Sequence, residues 1–444
     1  MRQVILFISV LTLFLSGCNY PGDSVAHSGE SSLPSTKIPV STEKPATPAT
    51  MVETSLPAYT STLAPTLEVT NPSPTATLSD PLMSPLTFGE EIILTQISMI
   101  SQSDGWSIGY QPGSDEHILH TSDGGQTWST RTPPEPPPQQ GEPRKIVWGY
   151  FVDTEKAWVI YAYEESNFIP QSPRVWKTND GGVSWQASQE LALTGQEEFF
   201  KPEGFTFPNQ EHGWLLIHIG GGMHHDYSLL FGTSDGGKTW QRLIDPYKTG
   251  LQSLGNTGLV FVDEKNGWVS KDNLGVMFGA FWEETTDGGR NWESHFLPAP
   301  LELDWMNNPS ACRTENPHFT SAQTAVILVN CRTFDEDEER NLTYIYVTGD
   351  RGQNWHYAKL PSPVDELDFI DYQTGWATGR DIYMTTDGGL SWVKIKTVNW
   401  DGQFSFVNAQ MGWAVVHNND NTALVKTENG GRTWELILPV LLGD

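Results

Sequence analysis

The stretch Thr121-Ser-Asp-Gly-Gly-Gln-Thr-Trp128 decides the fold of this chain, because closely similar stretches follow it six more times. The seven copies are TSDGGQTW (121–128), TNDGGVSW (178–185), TSDGGKTW (233–240), TTDGGRNW (285–292), TGDRGQNW (348–355), TTDGGLSW (385–392) and TENGGRTW (427–434). Self-similarity that recurs every few tens of residues is the signature of a repeat architecture. The repeat therefore predicts that most of the chain is built from successive similar structural units.

The residue types of the repeated stretch suit a tight hairpin turn. The threonine hydroxyl and the aspartate carboxylate can accept backbone N–H groups of the turn, the glycines tolerate positive φ, and the tryptophan can pack on the hairpin. One carboxylate per copy is too few for Ca²⁺, which takes roughly six to eight oxygen ligands. We therefore predict a structural role for the repeated position, which holds Asp123, Asp180, Asp235, Asp287, Asp350, Asp387 and Asn429.

A second element, a small residue followed by tryptophan, precedes most copies. It occurs as DGW (104–106), KAW (156–158), HGW (212–214), NGW (266–268), TGW (374–376) and MGW (411–413), and the fifth repeat lacks it. Each repeat then predicts four short strands, with the repeated turn between the third and the fourth. Four strands in about 40 to 60 residues are typical of a β-propeller blade. We predict an all-β, seven-bladed β-propeller over residues 88–444.

The pattern [ST]-x-D-x-G-x-[TSN]-W resembles the Asp-box, or bacterial neuraminidase repeat, of sialidases and other β-propellers. The paired GW and T-DGG-TW elements resemble most closely the photosystem II assembly/stability factor-like propellers. The resemblance spans residues 90–444. It implies the propeller fold and a ligand on the face opposite the Asp-box turns. It implies no particular activity, because the repeat occurs in enzymes, receptors and assembly factors alike.

The N-terminus has the form of an export signal. Met1-Arg2-Gln3 is followed by an apolar run from Val4 to Leu15, which is too short to span a membrane. The sequence LSGC at 15–18 resembles the bacterial lipobox, which implies that residues 1–17 are removed and Cys18 is lipidated. An ordinary signal peptide is the alternative. We expect an exported protein that is lipid-anchored to the bacterial cell membrane, with its folded domain outside the cytoplasm.

Residues 18–87 form a lipid-anchored linker that is rich in Pro, Thr and Ser. A segment of this composition buries too little apolar surface to offset its ordering entropy, so we predict a disordered tether. The whole chain has 26 Lys and Arg against 54 Asp and Glu, a net charge of −28. This charge repels nucleic acid, so no nucleic-acid partner is expected.

Apart from Cys18, the chain has only Cys312 and Cys331. The residues between them contain turn signals followed by a strand-like run, so the two cysteines could face each other across antiparallel strands. In an exported protein this predicts a disulfide, and two separately buried thiols are the alternative.

Candidate ligand residues lie in the variable loops opposite the repeated turns, since loops on a rigid scaffold commonly carry function. They are His218, His224, His225, Asp226, Asp272, Trp305, Arg380 and Trp400. Adjacent side chains in the run MHHD (223–226) rarely point the same way, so no metal or cofactor is expected. The acidic run 335–339 is either a solvated loop or a weak binding site for a cation or a basic partner. Trp305 and Trp400 are either stacking platforms or packing residues.

Two functions fit these observations. The first is a non-enzymatic binding or scaffold module for a protein or glycan ligand. The second is a glycoside hydrolase, sialidase-like or other, that uses loop carboxylates. The Phe-Arg-Ile-Pro element of sialidases is missing, and Arg290, Arg351 and Arg432 lie inside the repeated turns, away from the loops. We expect the binding function.

Overall fold

A computed structural model describes residues 86–134, 141–222, 225–246, 255–273, 279–303, 311–335, 338–418 and 421–443. These residues form thirty β-strands and no helix, so the architecture is all-β, as predicted. Accordingly, the described ranges contain no helix able to cross a membrane. The predicted signal peptide, Cys18 and the tether up to residue 85 lie outside the described residues.

We group the strands into units, numbered by the repeated turn that each unit contains. Unit 1 holds β1 (Ile93–Met99), β2 (Gly105–Tyr110), β3 (His117–Thr121) and β4 (Thr127–Thr130). Unit 2 holds β5 (Lys145–Phe151), β6 (Ala157–Tyr163), β7 (Val175–Thr178) and β8 (Gln186–Ala187). Unit 3 holds β9 (Lys201–Thr206), β10 (Gly213–Gly222), β11 (His225–Thr233) and β12 (Gln241–Ile244). Unit 4 holds β13 (Gly255–Phe261), β14 (Gly267–Asp272), β15 (Phe281–Thr285) and β16 (Glu293–Phe296).

The remaining units follow the same order, with one extra short strand in unit 5. Unit 5 holds β17 (Ala311–Thr314), β18 (His318–Phe319), β19 (Ala325–Asp335), β20 (Glu338–Thr348) and β21 (His356–Leu360). Unit 6 holds β22 (Glu366–Phe369), β23 (Gly375–Thr378), β24 (Asp381–Thr385) and β25 (Val393–Thr397). Unit 7 holds β26 (Asp401–Phe406), β27 (Gly412–Asn418), β28 (Asn421–Thr427) and β29 (Glu435–Ile437), and β30 (Val440–Leu441) follows it.

Within each unit, successive strands pair in antiparallel order, except that β17 and β18 of unit 5 both pair with β19. Units 4 and 5 join into one nine-stranded sheet, because Asp272 of β14 pairs with Arg313 of β17. Neighbouring units contact each other in turn, and the strand pairs that do so are β2 and β5, β5 and β9, β9 and β13, β14 and β17, β18 and β22, β22 and β26, and finally β26 of unit 7 and β1 of unit 1. The succession of sheets therefore closes on itself, an arrangement that is consistent with a β-propeller.

Buried tryptophans connect one unit to the next. The indole N–H of Trp158 donates to the carbonyl of Gly236 in the repeated turn of unit 3, at 3.0 Å. The same contact joins Trp214 to Gly288, Trp376 to Gly430 and, from unit 7 back to unit 1, Trp413 to Gly124. Packing between sheets thus explains why the small-Trp element and the repeated turn occur together. Sequence reasoning had assigned every role of the turn to contacts within the turn itself.

The repeated turn of unit 3 shows how its residues are used. Asp235 accepts hydrogen bonds from the hydroxyl of Thr233 (2.9 Å) and from the N–H (2.9 Å) and hydroxyl (2.7 Å) of Thr239. Burial raises the pKa of Asp235, but these hydrogen bonds outweigh it and lower the pKa below its usual value. In unit 5, Arg351 takes a glycine position and adopts a φ of 61°.

Two further contacts tie distant parts of the chain together. Val440 and Leu441 of β30 pair in parallel with Thr127 and Trp128, so β30 adds a fifth strand to the sheet of unit 1. In unit 5, Cys312 of β17 lies opposite Cys331 of β19, and the two form a buried disulfide.

Candidate functional site

The two ends of each unit differ in what their polar groups do. The repeated turns and the turns between first and second strands lie at one end, which we call the turn side. The loops between second and third strands and the connections between units lie at the other end, the loop side. On the turn side, the repeated carboxylates accept hydrogen bonds from their own turns, as at Asp123 and Asp387. The hydrogen-bonding capacity of these carboxylates is therefore used to stabilise the turns.

On the loop side, units 3 to 5 bring together a mixed group of charged side chains. This group, the charged cluster, consists of Lys201, Glu203, His218, Asp226, Asp272, Arg313 and Glu315. Glu203 interacts electrostatically with His218 and Asp226 of its own unit, and Arg313 interacts with both Glu203 and Asp272. The strands β9, β10, β11, β14 and β17 position all of these residues except Glu315, which directly follows β17, so the cluster is built largely on rigid elements.

His218 and Asp226 form the closest pair in the cluster. Nε2 of His218 lies 2.6 Å from Oδ1 of Asp226 and 2.9 Å from the carbonyl of Gly220. Burial alone would lower the pKa of His218, but the hydrogen bond and the charge of Asp226 outweigh it and raise the pKa. The other carboxylate oxygen of Asp226 accepts the N–H of Asn256 in unit 4, at 3.1 Å. The pair therefore bridges units 3 and 4.

Glu203 is the least satisfied carboxyl of the cluster. Its side chain is 14% exposed, Oε1 lies 3.5 Å from Nζ of Lys201, and the buried Oε2 has no hydrogen-bond partner among the described residues. Burial raises the pKa of Glu203, the positive charge of His218 opposes the rise, and Asp226 adds to it. A carboxyl with a raised pKa and a free acceptor atom suits contact with a ligand that donates a hydrogen bond.

Arg313 and Glu315 form the most accessible pair. Nε and Nη2 of Arg313 bind the two carboxylate oxygens of Glu315 at 2.7 and 3.2 Å. Half of the Arg313 side chain is exposed, against 22% of Glu315. A guanidinium held by one carboxylate at an open surface keeps donors available for a planar acceptor group of a ligand.

A buried ion pair adjoins the charged cluster, to which it is joined through Asn256. Nζ of Lys271 lies 2.8 Å from Oε2 of Glu283 and donates to Oδ1 of Asn256 at 2.7 Å, and both charged side chains are almost fully buried. Burial lowers the pKa of Lys271, and the attraction of Glu283 opposes the shift. Sequence reasoning missed this pair, although a lysine inside the otherwise buried strand GWVSKD was a usable signal.

The cluster contains three of the residues predicted from sequence, His218, Asp226 and Asp272, and the other candidates lie elsewhere. His225 stands on β11 with its ring stacked 6.4 Å from Tyr227. Arg380 is exposed between β23 and β24. Trp400 packs its ring 5.8 Å from Trp434. His224 and Trp305 lie outside the described residues.

The acidic run 335–339 falls at the hairpin between β19 and β20, and residues 336–337 lie outside the description. The backbones of Asp335 and Glu338 lie opposite each other in the ladder of this hairpin. In the described part of the chain, no three His, Cys, Asp or Glu side chains are arranged to hold a metal ion.

A groove of about 680 Å³ lies on the turn side, between units 3 and 4. Its lining includes His212, Glu264, Lys265, Asp287 and Arg290. Asp287 is engaged by Thr285 and Asn291 of its own turn, and Arg290 donates to a turn carbonyl. Structural contacts thus occupy Asp287 and Arg290. We place the candidate site at the charged cluster, where Oε2 of Glu203 has no hydrogen-bond partner among the described residues and Arg313 is half exposed.

No protein-family model matches the sequence, and no curated protein matches it. Among solved structures, "YCF48 bound to D1 peptide" is similar, with 17% identity, a TM-score of 0.48, and coverage of 77% of this chain and 93% of that one. A Mycobacterium tuberculosis puromycin-hydrolysing peptidase shows 11% identity, a TM-score of 0.49, and coverage of 79% of this chain. The chain spans 56% of the length of that peptidase.

A polysaccharide lyase of family PL25, an ulvan lyase, is also similar, with 11% identity, a TM-score of 0.42, and coverage of 80% of this chain and 95% of that one. Likeness at this level does not extend to function. On its own strand order and closure, the chain is an all-β protein whose architecture is consistent with a β-propeller.

Proposed function

We propose that this chain is a lipid-anchored binding module of the bacterial cell envelope. An acyl anchor on Cys18 and the tether to residue 87 hold a seven-bladed propeller with Asp-box turns outside the cytoplasm. The loop side of that propeller binds a protein or glycan ligand without chemical turnover. The seven units, each with one repeated turn, support the blade count.

The charged cluster carries this proposal. It presents positively and negatively charged side chains, with Arg313 half exposed and with Oε2 of Glu203 lacking a hydrogen-bond partner among the described residues. Such groups recognise the polar and charged atoms of a ligand and set its orientation. The carboxylates of the turn side, by contrast, accept hydrogen bonds within their turns.

One observation favours the hydrolase as a second candidate. Glycosidases pair a carboxyl of raised pKa, which acts as general acid, with an ionised carboxylate. Burial raises the pKa of Glu203, and Asp226 acts on it electrostatically. If turnover occurs, Glu203 is the acid that we would assign. Glu203→Gln should then abolish hydrolysis while leaving ligand binding intact.

The test uses the full chain with Cys18→Ala, which keeps it free of lipid. It is applied to a glycan array and an array of envelope-protein peptides, and each bound ligand is checked for cleavage. Arg313→Glu should abolish binding at the loop side. Arg290→Glu makes the same change of charge on the turn side and should leave binding unaltered. Binding that is lost with Arg290→Glu and kept with Arg313→Glu would refute the assignment.

A further inference from the structure

In unit 1, the surface beside the repeated turn is covered by a segment from elsewhere in the chain. The N–H of Val440 donates to the carbonyl of Gln126 at 3.1 Å, and the N–H of Leu442 donates to the carbonyl of Trp128 at 2.7 Å. Leu441 and Trp128 are both completely buried and belong to one apolar cluster. The covering segment thus adds backbone hydrogen bonds to the edge of unit 1 and also packs a leucine against the tryptophan of the repeated turn.

Unit 3 has a related cover, made by a different segment through one backbone hydrogen bond and without an added strand. The N–H of Gln189 donates to the carbonyl of Lys238 at 2.9 Å, and Lys238 has the same place in its turn that Gln126 has in unit 1. Leu191, two residues on, is 3% exposed and shares a core cluster with Trp240. The covering segment comes from the long connection 188–200 between β8 and β9.

Among the described residues, only units 1 and 3 have such a cover, and unit 7 is one of the units whose turn lacks it. Arg432 occupies the equivalent place, and no backbone amide of the described residues donates to its carbonyl. Trp434 is only partly buried, and it lines a groove of about 630 Å³ with Thr433, Trp400 and residues 396–399. The connection from β25 to β26 is only residues 398–400, which is too short to fold back over the groove.

An exposed lysine at the groove favours a ligand with negative charge. Lys396 lines it, is exposed, and has no ion-pair partner among the described residues, whereas the nearby Lys394 is paired with Asp381 at 2.8 Å. The adjoining edge strand β29 exposes Leu436 by 63%. An uncovered strand edge with apolar side chains is a template for an added strand.

We propose that this groove, which we call the unit 7 groove, binds an extended segment of a partner protein. One backbone N–H of the segment donates to the carbonyl of Arg432, and a leucine or similar branched side chain packs against the groove-lining surfaces of Trp400 and Trp434. An acidic residue next to that leucine meets Lys396. This site is separate from the charged cluster and does not depend on the function proposed for it.

The chain itself supplies the probe. The peptide Ala-Ser-Gln-Glu-Leu-Ala-Leu, residues 187–193, has the sequence that covers the equivalent surface of unit 3, with a glutamate beside the leucine. It is titrated into the full chain carrying Cys18→Ala, with tryptophan fluorescence as the readout. Methylating the backbone nitrogen of its glutamine, or replacing its first leucine by alanine, should each weaken binding about tenfold.

Protein variants locate the site. Lys396→Glu and Trp400→Ala should each weaken binding of the peptide about tenfold. Lys265→Glu makes the same charge reversal at another exposed lysine and should change nothing. Refolding and thermal melting of each variant exclude loss of the fold as the cause. The proposal is overturned if the peptide does not bind, or if Lys396→Glu and Trp400→Ala leave its affinity unchanged.

A crosslinking experiment separates the possible occupants. Asn399→Cys, labelled with a photoreactive maleimide, places a crosslinker in the groove. Crosslinks to the added peptide and to nothing else support an external partner. Crosslinks to residues 19–85 of the same chain, or to a second copy, would instead show that the protein covers its own groove and would refute the proposal.

Discussion

Oε2 of Glu366 accepts a hydrogen bond from the backbone N–H of Phe404 in the next unit, at 3.1 Å. One unit further on, Oε1 of Gln403 accepts the N–H of Ile97 in the same way, at 2.8 Å. Burial raises the pKa of Glu366 to about 8, and the carboxylates of Asp368 and Asp365 add to the rise. At neutral pH, Glu366 is therefore mostly protonated and takes the part that an uncharged amide takes in unit 7.

We expect Glu366→Gln to preserve this contact and to remove its dependence on pH. Because the pKa of Glu366 is raised in the folded state, its folded form holds a proton that its unfolded form releases above about pH 4.5. Stability should fall as pH rises from about 4.5 to 8, and the variant should lose less stability across this window. Urea unfolding at pH 5, 7 and 9 measures the difference.

The reciprocal change is the control. Gln403→Glu introduces a carboxyl at the equivalent place, so it should make stability more sensitive to rising pH. If both variants show the pH profile of the unaltered protein, the contact of Glu366 with Phe404 has no bearing on stability.

The repeated turn should tolerate an amide better than a truncated side chain. Asp235→Ala removes the acceptor of three hydrogen bonds and should lower the free energy of unfolding by about 1 to 2 kcal/mol. Asp235→Asn should cost less, because Asn429 already serves the turn of unit 7. Ligand binding at the loop side should persist in both variants, and its selective loss in folded Asp235→Ala would show that the turn binds ligand.

At low pH, the difference in stability between the unaltered protein and Asp235→Asn should become smaller. Since hydrogen bonds lower the pKa of Asp235, its carboxylate stabilises the fold at pH values above about 3.8, and this contribution is lost as the pH falls further. Thermal melting at pH 7 and pH 3 compares the two side chains. A constant difference between the two pH values would contradict the lowered pKa.

Removal of one partner of the buried ion pair should destabilise the fold more than replacement of both partners by apolar residues. Lys271→Met leaves the carboxylate of Glu283 buried without its cation, so we expect a loss of about 3 kcal/mol or more. The double variant Lys271→Met/Glu283→Leu should be more stable than Lys271→Met alone. A double-mutant cycle in urea measures the coupling, and additive single effects would mean that the two groups do not interact.

The disulfide should stabilise unit 5 chiefly by restricting the unfolded chain. Cys312 and Cys331 are 19 residues apart, and a loop of that size contributes about 3 kcal/mol. The variant Cys312→Ser/Cys331→Ser should therefore unfold at lower urea concentration. Reductant should shift the unaltered protein in the same direction and leave the double variant unchanged. Equal midpoints for all samples would show that the disulfide contributes nothing.

The proposed anchor depends on one thiol. Cys18→Ala should release the protein from the membrane fraction into the soluble fraction of lysed cells. Ser16→Ala, which leaves the cysteine in place, should keep the protein with the membrane. Retention of Cys18→Ala in the membrane fraction would contradict the lipid anchor.

The repeating features of this fold were predictable, and the features that occur once were not. The copies of TSDGGQTW indicated where third strands end and fourth strands begin, as β3 and β4 do around 121–128. No local pattern indicated that the indole of Trp158 reaches Gly236, because that contact depends on how neighbouring sheets pack.

The candidate site was predictable only in part, for a related reason. His218, Asp226 and Asp272 lie near the ends of strands that flank variable loops, so their position in the repeat pointed to them. Glu203 and Arg313 lie on first strands, whose short sequences give no sign of which side chains meet across units. Trp400 lies in a loop, the connection between β25 and β26, and its ring packs on Trp434.

The parallel pairing of β30 with β4 makes the first sheet depend on synthesis of almost the whole chain. Thr127 and Trp128 receive their partners from residues 440 and 441, more than three hundred positions later. A nascent chain that emerges N-terminus first must keep this edge unpaired until the final turn has been made. Contacts of such long sequence separation slow folding and prolong exposure of apolar edges. The beginning of the domain is therefore the part of the emerging chain whose apolar edge stays unpaired for the longest time.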